Sequence, residues 1–222
     1  DDFTFPDGVT ARSIKPLPAD VKELLTELSR KQSLHGKLSI SGTLKDFPSS
    51  DIRYSFFQLL MNGLGLPAQY HLFKFVHWCK KENIYDQLAA FIESKGSTLK
   101  AEYEDLFVSS LIAKAILKCK PDFAESESKV LDYLSENFKR KDFLTRDELL
   151  DTMKEQVFPL FYKTIPCTII VLDELQQYIG SDGNRSIDVQ NLAQDLCNNF
   201  DGKLLIVGTG QNSLSETPFL QR

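Results

Sequence analysis

The chain of 222 residues has little of what marks a membrane, secreted or metal-built protein. No apolar run approaches the roughly 20 residues that a membrane-spanning helix needs. The opening DDFTFPDGVTARS has neither the basic region nor the apolar core of a secretory signal. The expected compartment is the cytosol, with no membrane partner. Cys79, Cys119, Cys167 and Cys197 lie far apart among apolar neighbours, with no CxxC pair. That pattern favours reduced, mostly buried thiols over a disulfide framework or a zinc site. The 3 histidines are too few and too scattered for a metal cluster; His71 and His77 fall near one helical face, where packing and surface positions account for them. A net charge of −5 argues against the whole surface serving as a platform for nucleic acid. The basic run Lys139-Arg140-Lys141 reads as a solvated helix end or turn. No internal repeat and no low-complexity linker divides the chain.

What is present is an ordinary globular composition, 42% apolar and 26% charged, long enough for one large domain or two small ones. Residues 1–18 carry Pro6, Gly8, Pro16 and Pro18 and read as irregular. A helix fits 19–33, where Val21, Leu24, Leu25 and Leu28 recur at helical spacing, and KLSISGTL over 37–44 alternates as a strand does. From 51 to about 160 the period is helical almost throughout. Asp51 caps a first helix, and GLGLP over 63–67 breaks before a second across 68–81. A third covers 84–93, one long amphipathic helix is expected over 98–118, and another over 125–138. Thr145-Arg146-Asp147-Glu148 is a capping box that opens the last. Tyr54, Phe56, Phe57, Tyr70, Phe73, Phe75 and Trp78 sit at helical spacing among leucines. They read as core rather than as a surface for stacking bases.

After Pro166 the pattern changes. Cys167 to Leu172 is a short, continuous, branched apolar run, consistent with a strand covered on both faces. A helix expected from Ser186 aligns Val189, Leu192, Ala193, Leu196 and Phe200, and Asp201-Gly202 stops it. Lys203 to Val207 then forms a second such strand. Strand, helix, strand reads as a right-handed βαβ unit in a parallel sheet.

The first of these strands ends on Asp173 and Glu174, the second runs into Gly208-Thr209-Gly210-Gln211-Asn212. Ligands of parallel α/β sheets bind beyond the carboxyl ends of strands, so both polar ends are expected to face one crevice. Nucleoside triphosphate hydrolysis fits the residue types. One carboxylate at a strand end can hold Mg²⁺ through its waters, and the next can orient or deprotonate the attacking water. Thr209 or Gln211 would contact the γ-phosphate or that water. Carboxylates also serve as caps and loop residues, so a purely structural Asp-Glu strand end stands beside this reading.

TIIVLDE resembles the Walker B strand of AAA+ and related P-loop ATPases, and KLLIVGTGQN resembles the following strand that carries sensor 1. LDELQQYIG, then a helix, then LLIVGTGQNSL is similar to the large ATPases of bacterial BREX anti-phage systems, the BrxC/PglY type. GKLSISGTLKD, DIRYSFFQLLMNGLGLP and FVSSLIAKAILKCKPDF are similar to the region before Walker B in that family. The resemblance covers most of the chain, and its motifs are specific over 168–214. It implies Asp173 as the magnesium-side carboxylate, Glu174 as the catalytic glutamate, Thr209 and Gln211 as sensor candidates, and ATP with Mg²⁺ as cofactors. Other defence-complex proteins are the implied partners; DNA contact and a homo-oligomer stay open. Arg185, Arg222 or another arginine would act across a subunit interface.

The chain holds no GxxxxGK[ST]. Gly36-Lys37 lacks the upstream glycine and the hydroxyl residue, and GTGQNS lacks the lysine. The loop-like, acidic, proline-bearing start and the stop soon after a strand read as cuts within a longer protein, and since this loop precedes Walker B in such ATPases it is expected upstream of residue 1. The expected fold class is α/β, a partial P-loop NTPase parallel sheet core with a large, mostly helical insertion. Residues 1–50 and 161–222 would make the core, with the Walker B strand at 167–174 and the sensor strand at 203–211, and 51–160 the insertion. The expected function is ATP hydrolysis driving conformational work in a BREX-like assembly, with this chain alone inactive. The alternative is a non-enzymatic interaction module built on the helical block. A metal-dependent nuclease around Asp173, Glu174, Asp182 and Asp188 is a weaker third.

Overall fold

The computed structural model describes residues 36–211 and, before them, positions 19, 20, 23, 24, 26 and 27 only. The helix expected over 19–33 therefore lies largely outside the described residues, as do 1–18 and everything from 212 onward.

Three strands, β1 (Lys37–Gly42), β2 (Cys167–Leu172) and β3 (Leu204–Gly208), form a parallel sheet in that spatial order. Ile40 pairs with Ile170 and Ile170 with Ile206, so branched side chains line one face in register. The chain is thus α/β with a parallel sheet. Between the strands come α1 (Ile52–Gly63), α2 (Tyr70–Lys81), α3 (Tyr85–Glu93), α4 (Leu99–Glu102), α5 (Ser110–Cys119), α6 (Glu127–Asn137) and α7 (Arg146–Asp151), then α8 (Leu175–Ile179) and α9 (Gly183–Asn199) after β2. Among the described residues no helix is long and apolar enough to cross a membrane.

Two apolar cores share α2. The first joins Ile40, Ile170, Leu172 and Leu204 of the sheet to Phe56, Phe57 and Leu60 of α1, Phe73 of α2, Leu149, Met153 and Phe158 around α7, and Leu196 and Phe200 at the end of α9. The second takes Leu72, Phe75, Val76 and Cys79 from α2 and closes over them with α3, α5 and α6. Phe56, Phe57, Phe73 and Phe75 are fully buried, so these aromatics are core. Asp51 starts α1 by accepting from the amides of Arg53 at 2.7 Å and Tyr54 at 3.3 Å. Its other oxygen accepts from the Leu144 amide at 3.2 Å. Where α1 ends, Gly63 lies so close to Ile40 that a β-carbon there would stand 2.7 Å from Cγ2. The Thr145 capping box forms as the spacing predicts, and α7 runs on through a π turn (Thr152–Val157).

Three expectations need correction. The single helix over 98–118 is broken into α4 and α5. Ser109 explains the break: its hydroxyl oxygen caps Ile112 N at 3.1 Å and donates to Glu102 at 2.6 Å, while Ser97 donates to the other Glu102 oxygen at 2.6 Å. A serine that satisfies fresh amides starts a new helix rather than extending an old one. These hydroxyls, Ser109 first, hold the Glu102 carboxyl below its usual range. Second, α9 begins three residues early, because Asp182 caps it through Asn184 N at 2.9 Å. Third, among the described residues the strands are covered on one face only. α1 and α9 pack on the face carrying Ile40, Ile170 and Leu204, and on the opposite face Ile169 is 38% exposed, Leu205 55% and Val207 38%. Both connections, from β1 to β2 and from β2 to β3, step the same way along the sheet. A shared handedness therefore lays them on one side.

His71 is 6% exposed, stacks on Phe107 at 5.7 Å, and its Nδ1 has no hydrogen-bond partner among the described residues. Burial first, then the Arg140 charge, hold its pKa below the ordinary 6.5. The unfolded chain takes up a proton that the native state refuses, so stability is intact above that value and declines as pH falls below it. Urea unfolding at pH 7.5 and 5.5 is expected to show this loss, limited to about 1.4 kcal/mol per pH unit for this proton. His71→Phe, which keeps the stack, should flatten the dependence; an unchanged slope counts against the assignment.

Candidate functional site

The ends of all three strands meet at one edge of the sheet, because the register puts Gly42, Leu172 and Gly208 level. The ladder carries one step further: Asp173 N donates to Gly42 O at 2.9 Å and Thr209 N to Leu172 O at 3.0 Å. These two bonds fix where the polar side chains begin. The Thr209 hydroxyl donates to Asp173 Oδ1 in a short hydrogen bond. The same carboxylate oxygen accepts from Glu174 N at 3.0 Å, an amide that also lies 3.2 Å from Thr209 Oγ1. Gln211 Nε2 donates to Glu174 Oε1 at 3.0 Å. Asp173, Glu174, Thr209 and Gln211 thus form one connected group, although Gln211 is separated from Glu174 by 37 positions in sequence.

Glu174 has φ +51° and ψ +36°, a left-handed backbone. For a residue with a β-carbon and no local hydrogen-bonding habit, that conformation costs about 1–2 kcal/mol. It arises where the chain must leave β2 and enter α8 within two residues, Asp173 and Glu174. The turn is pinned by Leu175 N donating to Thr209 O at 2.9 Å. Close approach does the rest: a β-carbon on Gly208 would stand 2.8 Å from Leu175 Cδ2, and one on Gly210 2.4 Å from the Gln176 side chain. Glu174→Gly should raise stability by about 0.5–1 kcal/mol, since glycine adopts this backbone freely at some cost in unfolded-state entropy. Equal or lower stability in urea unfolding would show that the Gln211 contact outweighs the strain.

The third strand end was not legible in the pattern. After β1 a 3₁₀ turn (Leu44–Asp46) carries Lys45 to within 2.6 Å of Gln177 Oε1 on α8. Other charged candidates are engaged elsewhere. Arg185 donates to Tyr178 O at 2.9 Å and lies over the Tyr178 ring, while Asp182 caps α9. Lys141 pairs with Glu148, and Arg140 lies over Phe107. Among the described residues no group of three or more histidine, cysteine or acidic side chains is placed to hold a metal ion. Arg222 lies outside the described residues.

Chemically, the site offers two adjacent carboxylates, one exposed and one half-buried, each held by a polar side chain from the neighbouring strand. Hard carboxylate oxygens at an accessible strand end suit a hydrated magnesium ion better than a soft metal. A carboxylate fixed by an amide donor keeps one orientation, which is what a group that positions water needs. No protein-family model matches the chain, and neither a curated protein nor a solved structure matches it significantly.

Proposed function

We propose that this chain carries the hydrolytic half of a P-loop ATPase site, working as part of a BREX-like phage-defence assembly. The observation that supports the reading is the joined group Asp173–Thr209 and Glu174–Gln211 at the carboxyl edge of a parallel sheet, with Glu174 in a left-handed backbone. Strained, non-glycine backbone held by surrounding bonds clusters at functional sites.

In this reading Asp173 takes the magnesium side through water, and Thr209 sets the angle of its carboxylate. Glu174 orients the attacking water and accepts its proton, and Gln211 keeps one of its oxygens engaged. Magnesium with bound ATP would supply neutralisation of the charge that develops on the transferring phosphoryl oxygens. The residues present fit that ion; they do not supply the phosphate cradle, because the sequence has no GxxxxGK[ST] and Lys45 is committed to Gln177. The reading therefore requires a phosphate-binding loop from further polypeptide.

Phosphate release with Mg²⁺-ATP tests it in two preparations. The chain alone is expected to show no turnover above background. A longer natural polypeptide is expected to contain GxxxxGK[ST] ahead of residue 1 and to turn over at roughly 1–10³ s⁻¹. Turnover by the chain alone would remove the need for the loop. A natural polypeptide without the loop would leave a non-enzymatic interaction module, in which the four side chains merely close two strand ends.

A further inference from the structure

The two cores share α2, and beside that helix lies a cleft of about 410 Å³. Its size is that of a small-molecule site, and such sites favour the boundary between packed bodies. Three elements wall it: one side of α2, the end of α6, and the π turn that prolongs α7. From α2 come Lys74, His77, Trp78 and Lys81, which their spacing puts on one side of a helix. Their charge is poorly matched. Among the described residues Lys81 is exposed with neither a hydrogen bond nor an ion pair, and no hydrogen bond reaches the His77 ring. Lys74 Nζ donates to Gln156 Oε1 at 2.8 Å, a neutral partner. Glu148, whose charge acts on Lys74, is already paired with Lys141. Burial holds the Lys74 ammonium below its usual range; burial first, then the charges of Lys74 and Lys81, do the same to His77. Both lysines therefore act on one imidazole. Glu155 is the one carboxylate among the lining residues.

We propose that this cleft binds a phosphate dianion, free or as a small monoester, with Lys74 and Lys81 supplying charge and His77 an N–H donor. Half-buried Trp78 and Tyr133 are the wall for whatever the phosphate is attached to. Lysine meets phosphate as a point charge, and two of them match a dianion. A neutral imidazole keeps one N–H to donate. A bound dianion restores to Lys74 the stabilisation that burial removes, and it gives Lys81 and His77 the partner they lack. The π turn contributes Gln156, which holds the Lys74 ammonium at the cleft, and such turns recur at functional sites. A nucleic-acid strand fits less well, because the net charge is −5 and Glu155 stands on the wall. No residue of the Asp173 group lines this cleft, so the site is independent of the ATPase reading.

Trp78 is the sole tryptophan of the chain and lines the cleft, so its fluorescence reports occupancy. The 222-residue chain is titrated at low salt, without magnesium, with inorganic phosphate and with ribose 5-phosphate. A saturable change is expected, and Lys74→Gln/Lys81→Gln should weaken binding at least about tenfold. Lys100→Gln/Lys114→Gln removes the same charge from exposed positions elsewhere and should weaken it less than about twofold. Lys81→Gln alone, at an exposed and unpaired position, keeps the test decisive if the double variant unfolds; it should weaken binding about threefold. Tighter binding of ribose 5-phosphate than of phosphate supports a monoester against the Trp78 and Tyr133 wall, and equal binding supports free phosphate. A fluorescence change that never saturates, or equal weakening by the two double variants, would overturn the proposal. So would an oligodeoxynucleotide that binds more than about tenfold tighter than ribose 5-phosphate, which would assign Lys74 and Lys81 to a nucleic-acid face.

Discussion

On the proposed ATPase reading, Glu174→Gln is expected to lower the rate of ATP hydrolysis by about 10²–10⁴-fold while nucleotide binding is retained, measured in a longer polypeptide that supplies a phosphate-binding loop. Gln is nearly isosteric and its amide oxygen can still accept from Gln211 Nε2, which lies 3.0 Å from Glu174 Oε1 in the native side chain. What is lost is basicity. A rate constant that falls with an unchanged nucleotide dissociation constant is the signature of a group acting on the attacking water. Asp173→Asn should behave differently: because Asp173 is assigned to the ion, its loss should raise the magnesium concentration needed for half-maximal rate. If Glu174→Gln turns over within a few-fold of the native protein, Glu174 does not act on the attacking water, and the pair closes a strand end.

Phe57→Ala should cost about 3–5 kcal/mol in urea unfolding, the range for removing a fully buried phenyl ring. Phe57 is 0% exposed. Its ring meets Tyr70 at 5.5 Å and Phe73 at 5.6 Å, both edge-on, and Tyr54 at 6.2 Å. It is therefore the joint between α1, which lies on the sheet, and α2, which both cores share. Against a typical total of 5–15 kcal/mol the loss is a large fraction. Exposed Phe161 serves as control, and Phe161→Ala should move the midpoint little. Similar small shifts for both would mean that the sheet core does not depend on this joint.

The parts of the fold that were readable in sequence depend on neighbours in sequence. The β2 and β3 runs, the Asp51 cap and the Thr145 capping box all rest on residues within a few positions. Where tertiary choice decides, the pattern misled. The apolar stripe over 98–118 cannot register that Ser109 would find Glu102 as a partner, and that hydrogen bond ends one helix and starts another. A continuous apolar run reports that a strand is hydrophobic without saying what covers each face. The convergence of Asp173 and Glu174 with Thr209 and Gln211 followed from one rule about parallel strand ends. The left-handed backbone at Glu174 had no signal, because glutamate is not a residue chosen for positive φ. Lys45 was equally silent, since its partner Gln177 is 132 positions away.

Asp51 has a role beyond starting α1. Its second oxygen holds Leu144 N across 93 positions, and beside it Ser49 Oγ donates to Asp142 O at 3.2 Å over the same separation. These bonds clasp the two ends of the helical excursion at its base. Pairing β1 with β2 around an unstructured loop on the order of 100 residues would cost roughly 4 kcal/mol in closure entropy. A helical body that folds around its own core and is tied at the neck presents the two strands as the arms of a short loop. The excursion between β1 and β2 thereby lowers the entropic barrier to closing the sheet on which Asp173 stands.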